Sequence, residues 1–163
     1  MTAPPASQPL SVQLLAPDAD DWRSVAGAWA SLFSRRPDAS PYLSPIWMQT
    51  WLETYGTALR PELFSASLPG QDLIGACFLT CLTRRQTILP HVRMHLNCDG
   101  EPAGHGVVVQ HNSILASPGR EDDVVHALAR HIVSRRVDDL AASGFDEKGI
   151  HRLISAFPDW IAE

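Results

Sequence analysis

The spacing of apolar residues changes near residue 60, and that change limits the fold more than any other feature. Up to Gly56, apolar side chains recur at helical spacing, as Trp47 and Trp51 illustrate. From Pro61 to Val109, apolar residues fall into short runs and alternating segments that are typical of strands. We therefore expect two helices followed by an antiparallel meander.

Helix signals mark the two segments that precede this change. Residues 18–36 form the first predicted helix. The second predicted helix begins after Ser44 as its cap, with Pro45 at the first helical position, where a missing N–H costs nothing. Gly56 is suited to the left-handed conformation that ends a helix, so we expect this helix to end there.

The rest of the chain completes a mixed arrangement of strands and helices. Strands are predicted at residues 12–17, 61–67, 72–83, 88–99, around Val107–Val109 and at 137–145, with helices at 120–136 and from 146 to an interruption at Pro158. This order predicts an α+β, or layered α/β, fold in which helices flank a mixed, largely antiparallel sheet. We expect one domain over residues 12–163, after a disordered N-terminus at residues 1–11 that is rich in Pro, Ala and Ser.

Composition argues against several classes of protein. Hydrophobic residues make up 45% of the chain and charged residues 19%, which is a globular profile. The net charge of −5 argues against a nucleic-acid partner, because phosphate binding needs a basic surface. The longest apolar run, residues 73–82, is shorter than the roughly 20 residues that span a bilayer, so no membrane partner is expected. Three cysteines without an export signal predict reduced thiols in a cytoplasmic protein.

Cysteines and histidines are frequent between residues 77 and 111, but their spacing is unlike that of a zinc site. Cys77 and Cys81 lie four residues apart in an apolar strand, which places both on one face. Structural zinc sites bring their ligands in tight pairs such as C-x2-C. Buried core thiols explain this pattern better, so we expect no metal, with a small zinc protein as the alternative.

Glycine-rich and nucleophile motifs give no positive signal. Lys148 is the only lysine, so the chain has no P-loop. Residues 99–106, DGEPAGHG, lack the G-x-G-x-x-G spacing, and Pro102 removes one amide that such a loop would direct at phosphate. The chain also lacks the G-x-S-x-G elbow of a serine hydrolase.

Charged residues occur in pairs near the ends of the predicted elements. Arginine pairs such as Arg35-Arg36 are typical of solvated surface, with anion binding as the alternative. Acidic pairs such as Asp122-Asp123 are typical of helix caps. The residue chemistry taken alone therefore names no reaction.

A series of short motifs runs from about residue 40 to residue 145. The matching residues are Ser44, Pro45 and Trp47 at a helix start, residues 73–75 and the basic pair Arg84-Arg85 in the strands, Leu96, Asn97, Gly100, Glu101 and Pro102 in a loop, then His111, Asn112, Pro118 and Gly119 before a helix. In this order they resemble the N-terminal half of the GNAT-like acetyltransferases related to the cellulose biosynthesis protein CelD.

This resemblance implies a fold and an activity. The fold would be a GNAT-like, acyl-CoA N-acyltransferase-like lobe, and the reaction would move an acyl group from acetyl-CoA or another acyl-CoA to a small-molecule amine. His111 would be the catalytic base, because imidazole readily exchanges a proton near neutral pH. Asn97, Asp99, Gly100 and Asn112 would line the substrate cleft.

The chain departs from the family pattern in two ways. Family members are generally about twice this length, which predicts a lobe truncated at its C-terminus and a partner in a second GNAT-like lobe or a second copy of the chain. The [RQ]-x-x-G-x-[GA] turn that binds the donor pyrophosphate is missing, because residues 71–76 have the wrong spacing and lead into a strand. The cofactor-binding residues are therefore unidentified. A catalytically silent lobe that binds a partner through exposed Phe157 and Trp160 is the alternative.

Overall fold

The structure, a computed structural model, describes residues 10–15, 19–85, 89–102, 104–106 and 108–157, without the side chains of residues 19–21 and 85. Three sequence predictions, on the N-terminal residues 1–9, on Val107 and on the chain from Pro158 to Trp160, lie outside the described residues.

Strands and helices follow the predicted order of strand, two helices, meander, helix, strand and helix. The strands are β1 (Ser11–Leu15), β2 (Glu62–Ser67), β3 (Leu73–Arg85), β4 (Pro90–Leu96), β5 (Leu115–Ala116) and β6 (Asp139–Ala141). The helices are α1 (Ala19–Ser34), α2 (Pro45–Leu59), α3 (Glu121–Val133) and α4 (Glu147–Ala156), with one turn of 3-10 helix at Pro41–Leu43.

One mixed sheet organises the molecule, and it confirms the predicted fold class. Its strands lie in the order β1-β2-β3-β4-β6, and β5 pairs with β3. All pairings are antiparallel except that of β4 with β6, which is parallel. Helices flank this sheet on both faces, because side chains that alternate along a strand bury apolar surface on each side.

The two faces of the sheet carry two apolar cores. Cys77 and Leu79 on β3 pack with α3 and α4, whereas Ala76 and Phe78 point to the opposite face and pack with α1 and α2. On that second face the ring of Trp29 lies 5.6 Å from Phe78, and its indole nitrogen donates a hydrogen bond of 2.7 Å to the Leu43 carbonyl. The buried aromatic residues therefore fix α1 against the centre of the sheet.

The second helix begins as predicted and ends later. The Ser44 hydroxyl accepts a hydrogen bond from the Trp47 amide, as the predicted cap requires. The predicted end at Gly56 is wrong, because the helix continues until it buries Leu59. Arg60 takes the left-handed conformation with φ of 47°, and its amide donates to the Gly56 carbonyl at 2.8 Å.

The strand predicted around Val107–Val109 is displaced along the chain. Val108 is exposed, and neither Val108 nor Val109 belongs to a strand. The chain leaves the sheet after Leu96, and it rejoins β3 only at β5, where Leu115 pairs with Ala76. A run of valines predicts a strand, but the ladder positions beside β3 are taken by β5.

Two predictions about burial also need correction. Cys77 and Cys98 are buried, whereas Cys81 is exposed because β3 extends past the core at that point. Burial raises the pKa of the Cys98 thiol to about 12 and that of the Cys77 thiol further, so both remain protonated. Phe157 is buried beneath α4 rather than exposed, which removes it from a partner surface.

Candidate functional site

A polar cleft of about 360 Å³ lies on the face of the sheet that carries α3 and α4. Its walls are the loop after α1, residues 111–116 that lead into and include β5, the first turns of α3, and the start of α4. Asn112 and Phe145 both line the cleft, and they form an isolated parallel bridge beyond the pairing of β4 with β6. Residues from four separate parts of the chain therefore meet in it.

Asn97 and Asn112 form a buried hydrogen-bonded pair behind the cleft. The Asn97 amide nitrogen donates to the Asn112 side-chain oxygen at 2.9 Å and to the Ser113 carbonyl at 2.7 Å. The Asn97 side-chain oxygen accepts from the Phe78 amide at 3.1 Å. Asn97 has φ of 57°, a left-handed conformation that asparagine tolerates better than most residues. This pair therefore connects the point where the chain leaves the sheet, after β4, to the point shortly before it rejoins the sheet at β5.

The side chain of Asn112 lies between the end of β4 and the residues that follow β6. Its side-chain nitrogen donates to the Leu96 carbonyl at the end of β4 and to the Ser143 carbonyl after β6, at 3.2 and 3.1 Å. Its backbone amide donates to the Gly144 carbonyl at 2.8 Å. The residue lines the cleft, and its bonds hold the two walls in a fixed relation.

His111 is the predicted site residue that presents its side chain to the cleft. It precedes Asn112, its φ is 57°, and its side chain is exposed on the cleft wall. A left-handed residue turns the chain sharply at this point. This turn directs His111 outward, while the following asparagine points inward.

Asp99 and Gly100 lie at a separate place, beside His95. One Asp99 carboxylate oxygen is 3.0 Å from the His95 Nδ1, and the other accepts a hydrogen bond from the Gly100 amide at 2.7 Å. Partial burial opposes ionisation, but His95 and Ser143 outweigh it and hold the pKa of Asp99 below its ordinary value. Gly100 lies against the His95 ring, where a Cβ would be 3.3 Å from the ring carbon Cγ. Neither residue lines the cleft.

Three arginines pair with the three carboxylates in the first turn of α3. Arg36 contacts Glu121 at 3.4 Å, Arg152 of α4 contacts Asp122 at 2.6 Å, and Arg120 contacts Asp123 at 2.7 Å. We call this set the α3 ion-pair array. The sequence prediction treated Arg36 and Asp122 as surface and cap residues, and it missed this array because two of its three pairs join residues that are distant in sequence.

Arg36 is the member of the array that the structure holds most firmly. Its guanidinium donates to both carboxylate oxygens of Asp38 at 2.9 Å, and to the Ala116 carbonyl of β5 at 2.7 Å. The hydrogen bond with Arg36 lowers the pKa of Asp38 to about 2. The loop after α1 is thereby fastened to β5 and to the start of α3.

The start of α3 does not fit the pyrophosphate of an acyl-CoA. A helix N-terminus attracts anions through its free amides and its dipole. Here the first turn carries Glu121, Asp122 and Asp123, and the preceding turn contains one glycine, Gly119. A pyrophosphate at this position would meet three carboxylates of the chain itself.

Other ligand classes receive no support within the described residues. No group of three or more His, Cys, Asp or Glu side chains there could hold a metal ion. No helix in the same part of the chain is long and apolar enough to cross a membrane.

Comparisons with known proteins show a likeness in fold. Neither a family model nor a curated protein sequence matches the chain. An acetyltransferase from Trypanosoma brucei superposes with a TM-score of 0.54 at 12% identity, covering 95% of this chain and 94% of that one. A ribosomal-protein-alanine N-acetyltransferase from Brucella melitensis biovar Abortus 2308 gives a TM-score of 0.50 at 17% identity, covering 95% and 96%.

A third solved structure includes a ligand. An aminoglycoside N-acetyltransferase in complex with CoA gives a TM-score of 0.50 at 13% identity, covering 99% of this chain and 94% of that one. Such identities establish a shared fold and leave substrates open. The fold of this protein is therefore that of the GNAT acyl-CoA N-acyltransferases.

Proposed function

We propose that this protein is acyltransferase-related, a GNAT-type lobe that takes part in transferring an acyl group to an amine. The cleft between residues 111–116, α3 and α4 carries this proposal, because it is an open polar site bounded by residues from four parts of the chain. The GNAT fold supports the reaction class without identifying the acceptor.

Within this proposal, His111 takes the proton that the amine loses. It is exposed on the cleft wall and carries a side chain that exchanges protons near neutral pH. Asn97 and Asn112 act through position, because their hydrogen bonds fix the strand ends and the turn that presents His111.

The acyl donor expected from the resemblance is acetyl-CoA or another acyl-CoA. We derive no step through its pyrophosphate, because the α3 ion-pair array does not fit that group. The relation to CelD, the status of N-terminal lobe, and a partner in a second lobe or a second copy remain proposals. A cytoplasmic location is proposed from the three unpaired thiols.

A titration tests the proposal. Acetyl-CoA is added to monodisperse protein in a calorimeter, together with the variants His111→Asn and His105→Asn. Asparagine keeps the left-handed backbone at position 111 and removes the imidazole, while His105 is a matched exposed histidine off the cleft.

Saturable binding, with acyl transfer to amines lost in His111→Asn and kept in His105→Asn, would support the proposal. Equal transfer by the two variants would remove His111 from the mechanism. No heat and no thermal stabilisation at millimolar acetyl-CoA would show that this lobe does not bind the donor.

The acidic start of α3 also favours a second candidate, a catalytically silent lobe that binds a partner protein or a second lobe. A lobe that lacks a binding site for the donor pyrophosphate would contribute only its fold, and another lobe would carry out the acyl transfer. Absence of binding to acetyl-CoA, together with complex formation with a GNAT-like second lobe, would support this candidate over the first.

A further inference from the structure

We propose that the α3 ion-pair array excludes pyrophosphate, and that the acyl donor for this cleft is a pantetheine thioester lacking the nucleotide pyrophosphate. The donor part rests on the proposed function, whereas the exclusion stands on the array alone. The inference follows from three features of the array: its positions, its charges and its links to other elements.

The carboxylates occupy the anion-favouring end of α3. Glu121, Asp122 and Asp123 are the first three residues of the helix, where negative charge is most favourable. The favourable interaction that an incoming phosphate would gain from the helix dipole is therefore already made by the chain. An added pyrophosphate would instead experience like-charge repulsion from these side chains at short range.

The arginines of the array are already paired with carboxylates, and they come from three separate parts of the chain. Arg36 precedes α2, Arg120 directly precedes α3, and Arg152 belongs to α4. A pyrophosphate could recruit them only by displacing Glu121, Asp122 or Asp123. The displaced carboxylates would stay nearby on the same helix turn, so the exchange would bring little net gain.

The cleft itself is better suited to a donor without that charge. Three cations, Arg36, Lys148 and Arg152, line it together with three carboxylates, Asp38, Glu121 and Asp146, so these charges balance. A pantetheine arm is uncharged and binds through amide hydrogen bonds, for which a polar cleft is suited. Acyl transfer from it breaks the thioester C–S bond and forms an amide C–N bond. The amine gives its proton to the base, and the departing thiolate takes up one proton in return, so the products are an amide and the pantetheine thiol.

The exclusion is tested with inorganic pyrophosphate as the probe. Calorimetry compares the unchanged protein with the double variant Glu121→Gln/Asp122→Asn, which removes the carboxylate paired with Arg152 and one of the two carboxylates paired with Arg36. The control Glu53→Gln/Asp138→Asn removes two carboxylates from exposed positions on α2 and before β6.

We expect no saturable binding to the unchanged protein or the control, and saturable binding to the double variant. Micromolar binding of pyrophosphate to the unchanged protein would overturn the exclusion. An unchanged affinity in the double variant would overturn it too, because the carboxylates would then not be its cause.

The donor is tested by comparing S-acetylpantetheine with acetyl-CoA on the unchanged protein. We expect S-acetylpantetheine to bind at least as tightly, and the double variant to shift the preference towards acetyl-CoA. Acetyl-CoA binding that is about tenfold tighter in the unchanged protein would overturn the inference and leave the proposed function standing. If neither thioester binds, the proposed function and the donor both fail, while the pyrophosphate result still decides the exclusion.

Discussion

At the scale of single residues, the side chains that matter most are those of Asn97, Asp99 and Asn112. They lie in the part of the chain that leaves the sheet after β4 and rejoins it at β5. Asn97 is 1% exposed and Asn112 is 2% exposed, and their hydrogen bonds connect β3, β4 and the turn after β6. Buried amides with several partners are costly to remove, because each partner left behind loses its hydrogen bond in the interior.

Replacing Asn97 by alanine should destabilise the fold by about 3 kcal/mol. The Phe78 amide and the Ser113 carbonyl would lose their partners, and alanine would hold an unfavourable φ. Asn97→Gly removes the same hydrogen bonds without the backbone strain, so it should be less harmful by about 1 kcal/mol. Urea denaturation measures both, and a loss below about 1 kcal/mol for Asn97→Ala would contradict the buried pair.

Asp99 should make stability depend on acid pH. Its pKa is lower in the folded protein than in the unfolded chain, so the folded state binds fewer protons. The stability it contributes is complete above the ordinary aspartate value of about 3.9 and is lost as the pH falls through the lower folded pKa. Asp99→Asn should therefore show a smaller fall of Tm in acid, while Glu53→Gln should fall as the unchanged protein does.

At the scale of elements, the close approach of α3 to β3 depends on a residue without a side chain. A Cβ on Gly75 would lie 2.4 Å from a methyl carbon of Val124. Real atoms do not approach so closely, so any larger residue must push the helix away from the strand. This approach also places the first turn of α3 beside the cleft.

Gly75→Ala should therefore destabilise the protein by about 2 kcal/mol through displacement of α3. Gly27→Ala is the matched control, because no atom lies within 4 Å of its Cβ position on helix α1. The control should stabilise the helix by up to about 1 kcal/mol. Thermal unfolding followed by circular dichroism compares the two, and equal effects would exclude the close contact as the cause.

At the scale of the whole molecule, one apolar core packs on each face of the sheet. The ends of the strands extend beyond these cores. The cysteines report this division, since Cys77 and Cys98 are buried and Cys81 is exposed. Thiol reagents react with exposed thiolates, so the reactivity of each cysteine shows whether its side chain is buried.

An aromatic disulfide reagent should modify one of the three thiols in the folded protein and all three after unfolding. Reaction at Cys81 should be slow, because burial of part of the side chain raises the pKa of its thiol. The variant Cys81→Ser should give no reaction in the folded state. A second reactive thiol in that variant would show that one of the cores opens to solvent.

The sequence by itself determined the order of the four helices and of the strands other than β5. Their signals are local: apolar spacing for α2 and β3, and a serine–proline start at Ser44. It failed where a distant neighbour decides, as when the burial of Leu59 carried α2 past Gly56, and when β5 instead of the valines took the ladder beside β3.

Only the tertiary structure decided which polar side chains meet. Arg36 and Glu121 are 85 residues apart, and Asn97 and Asn112 are 15 apart across an excursion from the sheet. Chain spacing carries no information about such pairs, because they form only when β5, α3 and α4 pack on one face of a sheet. The predicted cleft residues were therefore divided, with His111 and Asn112 on the cleft, Asn97 behind it, and Asp99 and Gly100 beside His95.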